Sequence, residues 1–267
     1  MCLVKLMDRQ NIEKIAQTPE DKLLLAKVWD KINKGMQINV PANTNFLSQR
    51  EQELVRFLLG DAEGLFSFGG FEDAERRMFI YLPEYLDDSY LHGDDSPLVS
   101  LRATFYKEDT PTHRDFLGAL MGAGIARETV GDILVSEGSC DFFVSAEIAP
   151  YVLQSFESAG RTKLKLSQIP ISEVSVPLPE TVEIRDTLAS LRLDSLIASG
   201  FRTSRNIAAY HIEAGRVAIN GLPCIKPDKS IEEGATVSVR TMGKIKLKTI
   251  NGQTKKGRIS VVIDRYV

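Results

Sequence analysis

The spacing of hydrophobic positions in the first sixty residues is helical. Residues 21–34 carry an apolar stripe at helical spacing, and Thr18-Pro19 stands before it as a helix-capping sequence. Gly35 is expected to end this helix. A second capping sequence, residues 48–51, precedes another helical stripe. The sequence therefore predicts a helical N-terminal segment.

The pattern after residue 63 alternates between strands and helices. Two short strands are predicted around a Gly69-Gly70 loop, at residues 65–68 and 78–82. The next elements are a strand, a helix, two strands, a helix and a strand, at residues 98–106, 112–121, 132–135, 141–144, 146–159 and 162–166. This β-α-β-β-α-β order is typical of ferredoxin-like or RRM-like domains, in which both helices cover one face of an antiparallel sheet.

Aromatic residues on such a sheet could stack on RNA bases, and the candidates are Phe105, Tyr106, Phe142 and Phe143. The segment GSCDFFVSA departs from the RNA-stacking signature and lacks its leading basic residue. We therefore interpret these rings as core, and we expect the sheet to contact protein.

The last part of the chain follows a proline-rich stretch, residues 169–180, which is predicted to be an extended linker. A helix is predicted to begin at Ile184 and to continue to Gly200, and a second helix spans residues 204–213. Short strands are predicted at residues 216–219, 236–240 and 257–263, with a turn at Asn220-Gly221. The predicted class is α+β, with a helical segment (1–62), a ferredoxin/RRM-like domain (63–170) and a C-terminal domain (183–267).

Charge is divided unevenly along the chain. The formal net charge of the 267 residues is −3, with 43% hydrophobic and 26% charged residues, which is ordinary for a globular protein. From Glu183 onward, however, Lys and Arg outnumber Asp and Glu by nearly two to one, whereas acidic residues are in excess before it. This asymmetry indicates a polyanion-binding segment, with a solvated charged surface as the alternative.

Several classes of protein are disfavoured by what the sequence lacks. No apolar run approaches the roughly 18 residues of a membrane span, and MCLVKLMDRQ has no signal-peptide core, so a cytoplasmic protein is expected. The three cysteines and three histidines are too scattered for a disulfide framework or a metal site. Neither a nucleotide-binding glycine loop nor a G-x-S-x-G elbow is present, so no catalytic residue, metal or cofactor is predicted.

A closely spaced set of landmarks occupies residues 192–240. They are Arg192-Leu193-Asp194, Arg202-Thr203-Ser204-Arg205, Gly215-Arg216-Val217, Ile219-Asn220-Gly221, Lys226-Pro227 and Gly234-Ala235-Thr236-Val237. In this order they strongly resemble the S4 (αL-type) RNA-binding domain, although Ala235 stands where that family usually has Asp. The resemblance implies a module that binds structured RNA through phosphates and sugar hydroxyls more than through base edges.

The start of the predicted helix 204–213 suits a phosphate, because the helix dipole and free N–H groups meet there beside Arg202 and Arg205. Asp194 is expected to pair with a partner inside the domain. The core candidates are Leu193, Leu196, Ile197, Ile207, Ile212, Val217 and Ile219. The predicted RNA-binding residues are Arg192, Ser195, Arg202, Thr203, Ser204, Arg205, Arg216, Asn220, Lys226, Lys229 and Arg240, with His113 and Arg114 as secondary candidates.

A second resemblance covers most of the chain. Residues 66–83, FSFGGFEDAERRMFIYLP, and residues 111–135, PTHRDFLGALMGAGIARETVGDILV, are similar to the YlmH family, whose members are also called photosystem II S4-domain proteins. The resemblance implies binding to ribosomal or transfer RNA, and work on the large ribosomal subunit when nascent chains stall. It also allows a plastid stromal location if the source is a plant.

The leading hypothesis is thus a non-enzymatic RNA-binding protein of the translation apparatus, with protein contacts through its acidic first two-thirds. One alternative is an RNA-modifying enzyme or synthetase that uses the S4 domain as an anchor, although no catalytic signature is visible. Another is a photosystem II assembly factor acting on protein, whose binding would survive high salt.

Overall fold

The computed structural model describes residues 9–177, 180–254 and 257–266. Cys2, with the rest of the first eight residues, and Pro179 of the predicted linker lie outside the described residues. The chain divides into two compact units, Met1–Pro177 and Leu178–Val267. Both units combine helices with antiparallel sheets, so the protein belongs to the α+β class.

The first unit begins with helices, as predicted. They are α1 (Ile12–Ile15), α2 (Pro19–Ile38) and α3 (Gln49–Leu59). Thr18 caps α2 and Ser48 caps α3, each in a reciprocal capping box. The prediction that Gly35 ends α2 is wrong, because α2 continues to Ile38 and ends at Asn39 in the left-handed conformation. Gly35 serves close packing instead: a Cβ there would lie 2.5 Å from the Cβ of Ala42.

A small antiparallel sheet follows the helices. Its strands are β1 (Ala42–Asn43), β2 (Leu65–Phe68) and β3 (Met78–Tyr81), in the order β1-β3-β2. The two strands predicted around Gly69-Gly70 are confirmed as β2 and β3. Met78 and Ile80 are buried and face a cluster that also contains Phe46 and Phe143.

A ferredoxin-like domain forms the rest of this unit. Its elements in chain order are β4 (Leu98–Thr104), α4 (His113–Gly122), β5 (Val130–Ser136), β6 (Ser139–Ser145), α5 (Ala149–Ser155), β7 (Ser158–Ala159), β8 (Thr162–Lys163) and β9 (Lys165–Ile169). The four long strands lie in the order β5-β6-β4-β9 with every neighbouring pair antiparallel. This is the arrangement that the β-α-β-β-α-β pattern predicted.

Two boundaries in this domain differ from the prediction. The helix expected over residues 146–159 is α5 alone, preceded by a 3-10 turn. Gly160 does not stop a helix but turns the β7–β8 hairpin, with φ of 59°. The hairpin consumes residues 158–163, so the fourth strand of the sheet is β9 rather than residues 162–166.

Both faces of the ferredoxin-like sheet are covered by this chain. On one face Phe142 packs with Phe116 of α4 and Val152 of α5. On the other, Phe143 packs with Phe46 and Met78 of the preceding segment. The interpretation of Phe142 and Phe143 as core is confirmed. The face around Phe143 is covered within the first unit. The expectation that the sheet contacts protein stays a prediction.

The remaining aromatic candidates and the predicted linker differ in burial. Phe105 packs partly into the core, but the interpretation of Tyr106 as core is wrong, because it is 79% exposed. Residues 171–173 form a 3-10 turn, and Ile171 and Val174 pack against the cluster around Phe143. This part of the predicted linker is therefore docked on the first unit.

The second unit is a six-stranded antiparallel sheet with two helices. Its elements are β10 (Thr181–Leu188), α6 (Leu193–Gly200), α7 (Arg205–Glu213), β11 (Val217–Ile219), β12 (Leu222–Pro223), β13 (Thr236–Val239), β14 (Gly243–Gln253) and β15 (Ile259–Tyr266). The strand order is β10-β15-β14-β13-β11-β12. Leu193, Ile197 and Ile212 of the helices share one core with residues of the sheet.

Two predictions for the second unit are corrected, and one strand was missed. Residues 184–188 are in β10 rather than a helix, because Ile184 pairs with Ile263 of β15 across the sheet. Ile207 is 48% exposed rather than part of the core. The eleven-residue strand β14 was not predicted at all. The turn at Asn220-Gly221 is confirmed, with both residues at positive φ.

No helix in the described part of the chain is both long enough and apolar enough to span a bilayer.

Candidate RNA-binding surface

The beginning of α6 is organised by Asp194, which is only 5% exposed. Its carboxylate accepts hydrogen bonds from Arg192 Nε (3.2 Å) and Nη2 (3.1 Å), and from Arg205 Nη2 (2.7 Å). Burial alone would raise the pKa of Asp194, but the hydrogen bonds from Arg192 and Arg205 outweigh burial and hold this pKa below its ordinary value. The prediction that Asp194 pairs inside the domain is confirmed.

Arg192 and Arg205 remain exposed to solvent although both are hydrogen-bonded to Asp194. The side chain of Arg192 is 41% exposed and that of Arg205 is 55% exposed. A guanidinium has five N–H donors, so a pair with Asp194 leaves donors on each for a second acceptor. The carboxylate therefore fixes the direction of two cations at the surface.

Two lysines are brought to the same place by backbone hydrogen bonds. The N–H of Leu193 donates to Lys229 O (2.9 Å), and the N–H of Asp194 donates to Pro227 O (3.0 Å). The loop that carries Lys226 and Lys229 is thereby tied to the start of α6, and both lysines are exposed. Together with the two arginines they form what we call the α6 basic group: Arg192, Arg205, Lys226 and Lys229.

The turn between α6 and α7 adds another exposed cation. Arg202 has φ of 52°, a left-handed conformation that is uncommon for a residue with a side chain. The N–H of Thr203 donates to Ala198 O (2.9 Å), which closes the end of α6. Ser204 caps α7, since its Oγ accepts from the N–H of Ile207 at 3.2 Å. Arg202 and Ser204 are exposed and Thr203 is half-buried.

A second group lies beyond the other end of α7. Arg216 precedes β11 and its carbonyl oxygen accepts from the N–H of Arg240 at 2.9 Å. The guanidinium of Arg216 stands over the ring of Tyr210, 5.4 Å from the ring centroid. Asn220 holds the following turn, because its Oδ1 accepts from the N–H of Thr236 at 2.9 Å.

Along the chain the predicted residues of the second unit thus stand before and after α7, a helix of nine residues that is about 13 Å long. Ser195 differs from the rest of the set, because it is buried and its hydroxyl donates to Asp194 at 3.2 Å. His113 and Arg114 belong to the other unit, where they are exposed in the first turn of α4.

Sequence reasoning missed the basic residues of β14. Lys244 stands over the ring of Tyr266 at 4.9 Å, and Lys248 pairs with Glu183 (3.4 Å) and Asp264 (3.2 Å). The alternation of lysines with Ile245 and Leu247 would have revealed both the strand and its charged face. Tyr210 was missed as well, because one aromatic residue in a helix carries no sequence signal of its exposure.

No metal site is visible in the described ranges: residues 9–177, 180–254 and 257–266 hold no group of three or more His, Cys, Asp or Glu side chains arranged for an ion.

Comparison with known proteins assigns the class first. Residues 105–173, which span most of the ferredoxin-like domain, match the family described as "Putative RNA-binding domain in YlmH". The chain is thus a protein with an RNA-binding domain of this type.

Relatives then give the family. The chain is 36% identical over 225 residues to ribosome-associated protein quality control protein P2 of Bacillus subtilis (strain 168), covering 83% of this chain and 86% of that protein. A solved structure, cell division protein ylmH from Streptococcus pneumoniae, matches 61% of this chain and 98% of its own with a TM-score of 0.50 at 21% identity, which shows a shared fold. The chain belongs to the YlmH family.

Proposed function

We propose that this protein binds structured RNA, ribosomal or transfer RNA, and does so without catalysing a reaction. The match of residues 105–173 to an RNA-binding domain supports the class of ligand. Similarity to a ribosome-associated quality control protein supports a place beside the ribosome, on the large subunit and with stalled nascent chains. The cytoplasmic location expected from the sequence goes with this proposal.

The observation that carries the proposal is the α6 basic group. The start of α6 carries two arginine side chains oriented by the buried Asp194, and the loop that bears the exposed Lys226 and Lys229 is tied to the same place by backbone hydrogen bonds. Asp228 of this loop adds one exposed acid near Arg192. Phosphates along a folded RNA offer the acceptors that such a group lacks, and guanidinium groups bind phosphate in a bidentate manner. Arg202 and the capped start of α7 extend the same surface.

The S4 assignment of the second unit is part of this proposal. Its landmarks coincide with structural transitions: Arg192 is the N-cap of α6, Arg202-Thr203-Ser204 is the turn between the helices, and Asn220-Gly221 is a tight turn. This coincidence supports, on structural grounds, the RNA-binding residues expected from the sequence.

The test is the salt dependence of RNA binding by the full chain. Arg202→Ala combined with Lys226→Ala and Lys229→Ala removes cations for which no acidic partner is described, and leaves the Asp194 pairs intact. Log affinity falls as log salt concentration rises, and each lost phosphate contact should make this negative slope shallower by about 1. The matched control is Arg185→Ala, which removes one exposed cation from β10, at the opposite edge of the sheet from β11 and β12.

We expect the triple variant to lose affinity for ribosomal RNA at every salt concentration, while the control keeps the affinity and the slope of the wild type. Unchanged affinity and slope in the triple variant would contradict the proposed surface. Binding of the wild type to ribosomal subunits that persists unchanged in high salt would indicate a protein contact instead.

A further inference from the structure

The outward side of α7 carries an apolar ridge in the middle of a basic region. Ile207 and Tyr210 are one helical turn apart and are 48% and 58% exposed, whereas Ala208 and Ile212 bury the opposite side of the helix. Arg205 lies at the first residue of α7 and Arg216 lies just beyond its end. Glu213 is the one acidic residue in the sequence of α7. An exposed aromatic ring next to basic side chains is the combination with which single-stranded nucleic-acid sites hold a base and its phosphate.

The ring of Tyr210 is held in position by its neighbours. Arg216 stands 5.4 Å from its centroid and His211 meets it edge to face at 5.6 Å. The backbone of Arg216 is held in place, because its carbonyl oxygen accepts a hydrogen bond from the N–H of Arg240. The ring therefore presents its accessible side in a defined direction, with a cation that supports its π-system.

We propose that Tyr210, backed by Arg216 and bordered by Ile207, is a stacking platform for an unpaired nucleobase of the bound RNA. The inference rests on the proposed function and deepens it by naming the class of RNA: a stem with an extruded or looped-out base rather than a continuous duplex. Bases in a continuous duplex are stacked on each other, so only an unstacked base can offer its face to an aromatic ring.

Charge favours a nucleotide over an apolar peptide on this ridge. A base that stacks on Tyr210 brings its own phosphate, and Arg216, which stands over the ring, has guanidinium N–H donors for that phosphate. A docking apolar peptide would match the ridge but would bring no phosphate to Arg216. Base–aromatic stacking also tolerates any base, so the platform selects unpaired structure rather than sequence.

The experiment uses the full chain and two RNA probes, a short perfect duplex and the same duplex with one extruded 2-aminopurine. Binding is measured by anisotropy, and stacking is measured by quenching of the 2-aminopurine fluorescence. The variants are Tyr210→Ala, Tyr210→Leu and Tyr210→Phe, with Ile225→Ala as the matched loss of an exposed apolar side chain elsewhere in the second unit.

We expect the wild type to prefer the bulged RNA and to quench its probe. Tyr210→Ala should lose about tenfold in affinity for the bulged RNA and little for the duplex. Tyr210→Leu should behave as Tyr210→Ala, which keeps the test valid if the smaller side chain disturbs folding. Tyr210→Phe and Ile225→Ala should behave as the wild type.

The opposing outcomes separate the two proposals. Equal affinity of the wild type for the two RNAs, with no effect of Tyr210→Ala, would overturn the platform and leave the ridge as a candidate protein contact, while salt-dependent binding would still support the proposed function. Equal losses for both RNAs in Tyr210→Ala would also overturn the platform. A wild type that binds neither RNA would overturn the platform, whereas the proposed function is decided separately by the measurement with ribosomal RNA.

Discussion

Single buried carboxylates organise both units at the scale of residues. Asp194 orients Arg192 and Arg205, and Asp21 performs a comparable task in the first unit by accepting two hydrogen bonds from Arg50, each at 2.7 Å. The role of Asp194 followed from the sequence resemblance, because an acid beside arginines in a basic domain has an obvious partner. The role of Asp21 with Arg50 did not, since the two are 29 positions apart and nothing local links them.

Asp194→Asn should destabilise the second unit. The substitution keeps the shape of the side chain but replaces charge-assisted hydrogen bonds from two arginines with weaker neutral ones, at a cost of about 1–3 kcal/mol in the free energy of unfolding. Urea denaturation followed by circular dichroism measures the change. Glu232→Gln, at an exposed acid of the same unit away from the start of α6, is the control and should have little effect. Equal stability of the two variants would show that the Asp194 pairs contribute nothing.

Asp21→Asn should change how stability depends on pH. Hydrogen bonds from Arg50 outweigh the opposing effect of burial and lower the pKa of Asp21 to about 2, from an ordinary value of 3.8. A carboxyl with a lowered pKa stabilises the folded state fully above its unfolded value, and this contribution is lost as the pH falls from about 3.8 to about 2. Melting temperatures across that range should converge for wild type and variant, with the wild type higher near neutral pH. Parallel curves would contradict the assignment.

At the scale of elements, the sequence predicted what is local. The capping boxes at Thr18 and Ser48 and the β-α-β-β-α-β order all depend on residues close together in the chain. The failures involve distant partners. The spacing of Ile184 and Leu188 is compatible with a helix and with a strand. The segment forms strand β10 because it pairs with β15, almost eighty residues later in the chain. The packing role of Gly35 also escaped the sequence, because its close approach to Ala42 is visible only in the folded chain.

Two glycine substitutions separate packing from helix propensity. Gly35→Ala should destabilise the first unit, because the added Cβ meets Ala42 at 2.5 Å and Val40 O at 3.0 Å, and such crowding typically costs about 1–3 kcal/mol. Gly118→Ala in α4 has no atom within 4 Å of the added Cβ and should stabilise the helix by roughly 0.5–1 kcal/mol. Thermal unfolding of both variants measures the difference, and effects of the same sign would contradict this reading of Gly35.

At the scale of the whole molecule, the chain consists of two units, each with a hydrophobic core of its own. The division of charge in the sequence anticipated a separate basic end. The sequence did not predict that residues before the ferredoxin-like sheet cover its second face. The local pattern around Phe46 and Met78 gives no indication that both pack against Phe143.

Separate cores predict separate responses to mutation. Trp29, the single tryptophan of the chain, lies in α2 and reports on the first unit alone. Asp194→Asn should leave the urea midpoint of tryptophan fluorescence unchanged. Circular dichroism should show that the second unit unfolds at a lower urea concentration than in the wild type. A shift of both signals by the same amount would show that the units unfold together.

The covered face of the ferredoxin-like sheet has a consequence for how the protein is made. Synthesis proceeds from the N-terminus, so Phe46, Met78 and Ile80 leave the ribosomal tunnel well before Phe143. During that interval their apolar surface is exposed to solvent. The growing polypeptide is then most prone to aggregate or to be bound by chaperones. A ribosome that pauses after Ile80 has left the tunnel but before β6 has emerged would therefore expose this apolar surface, and the exposure ends only when β6 pairs with β4.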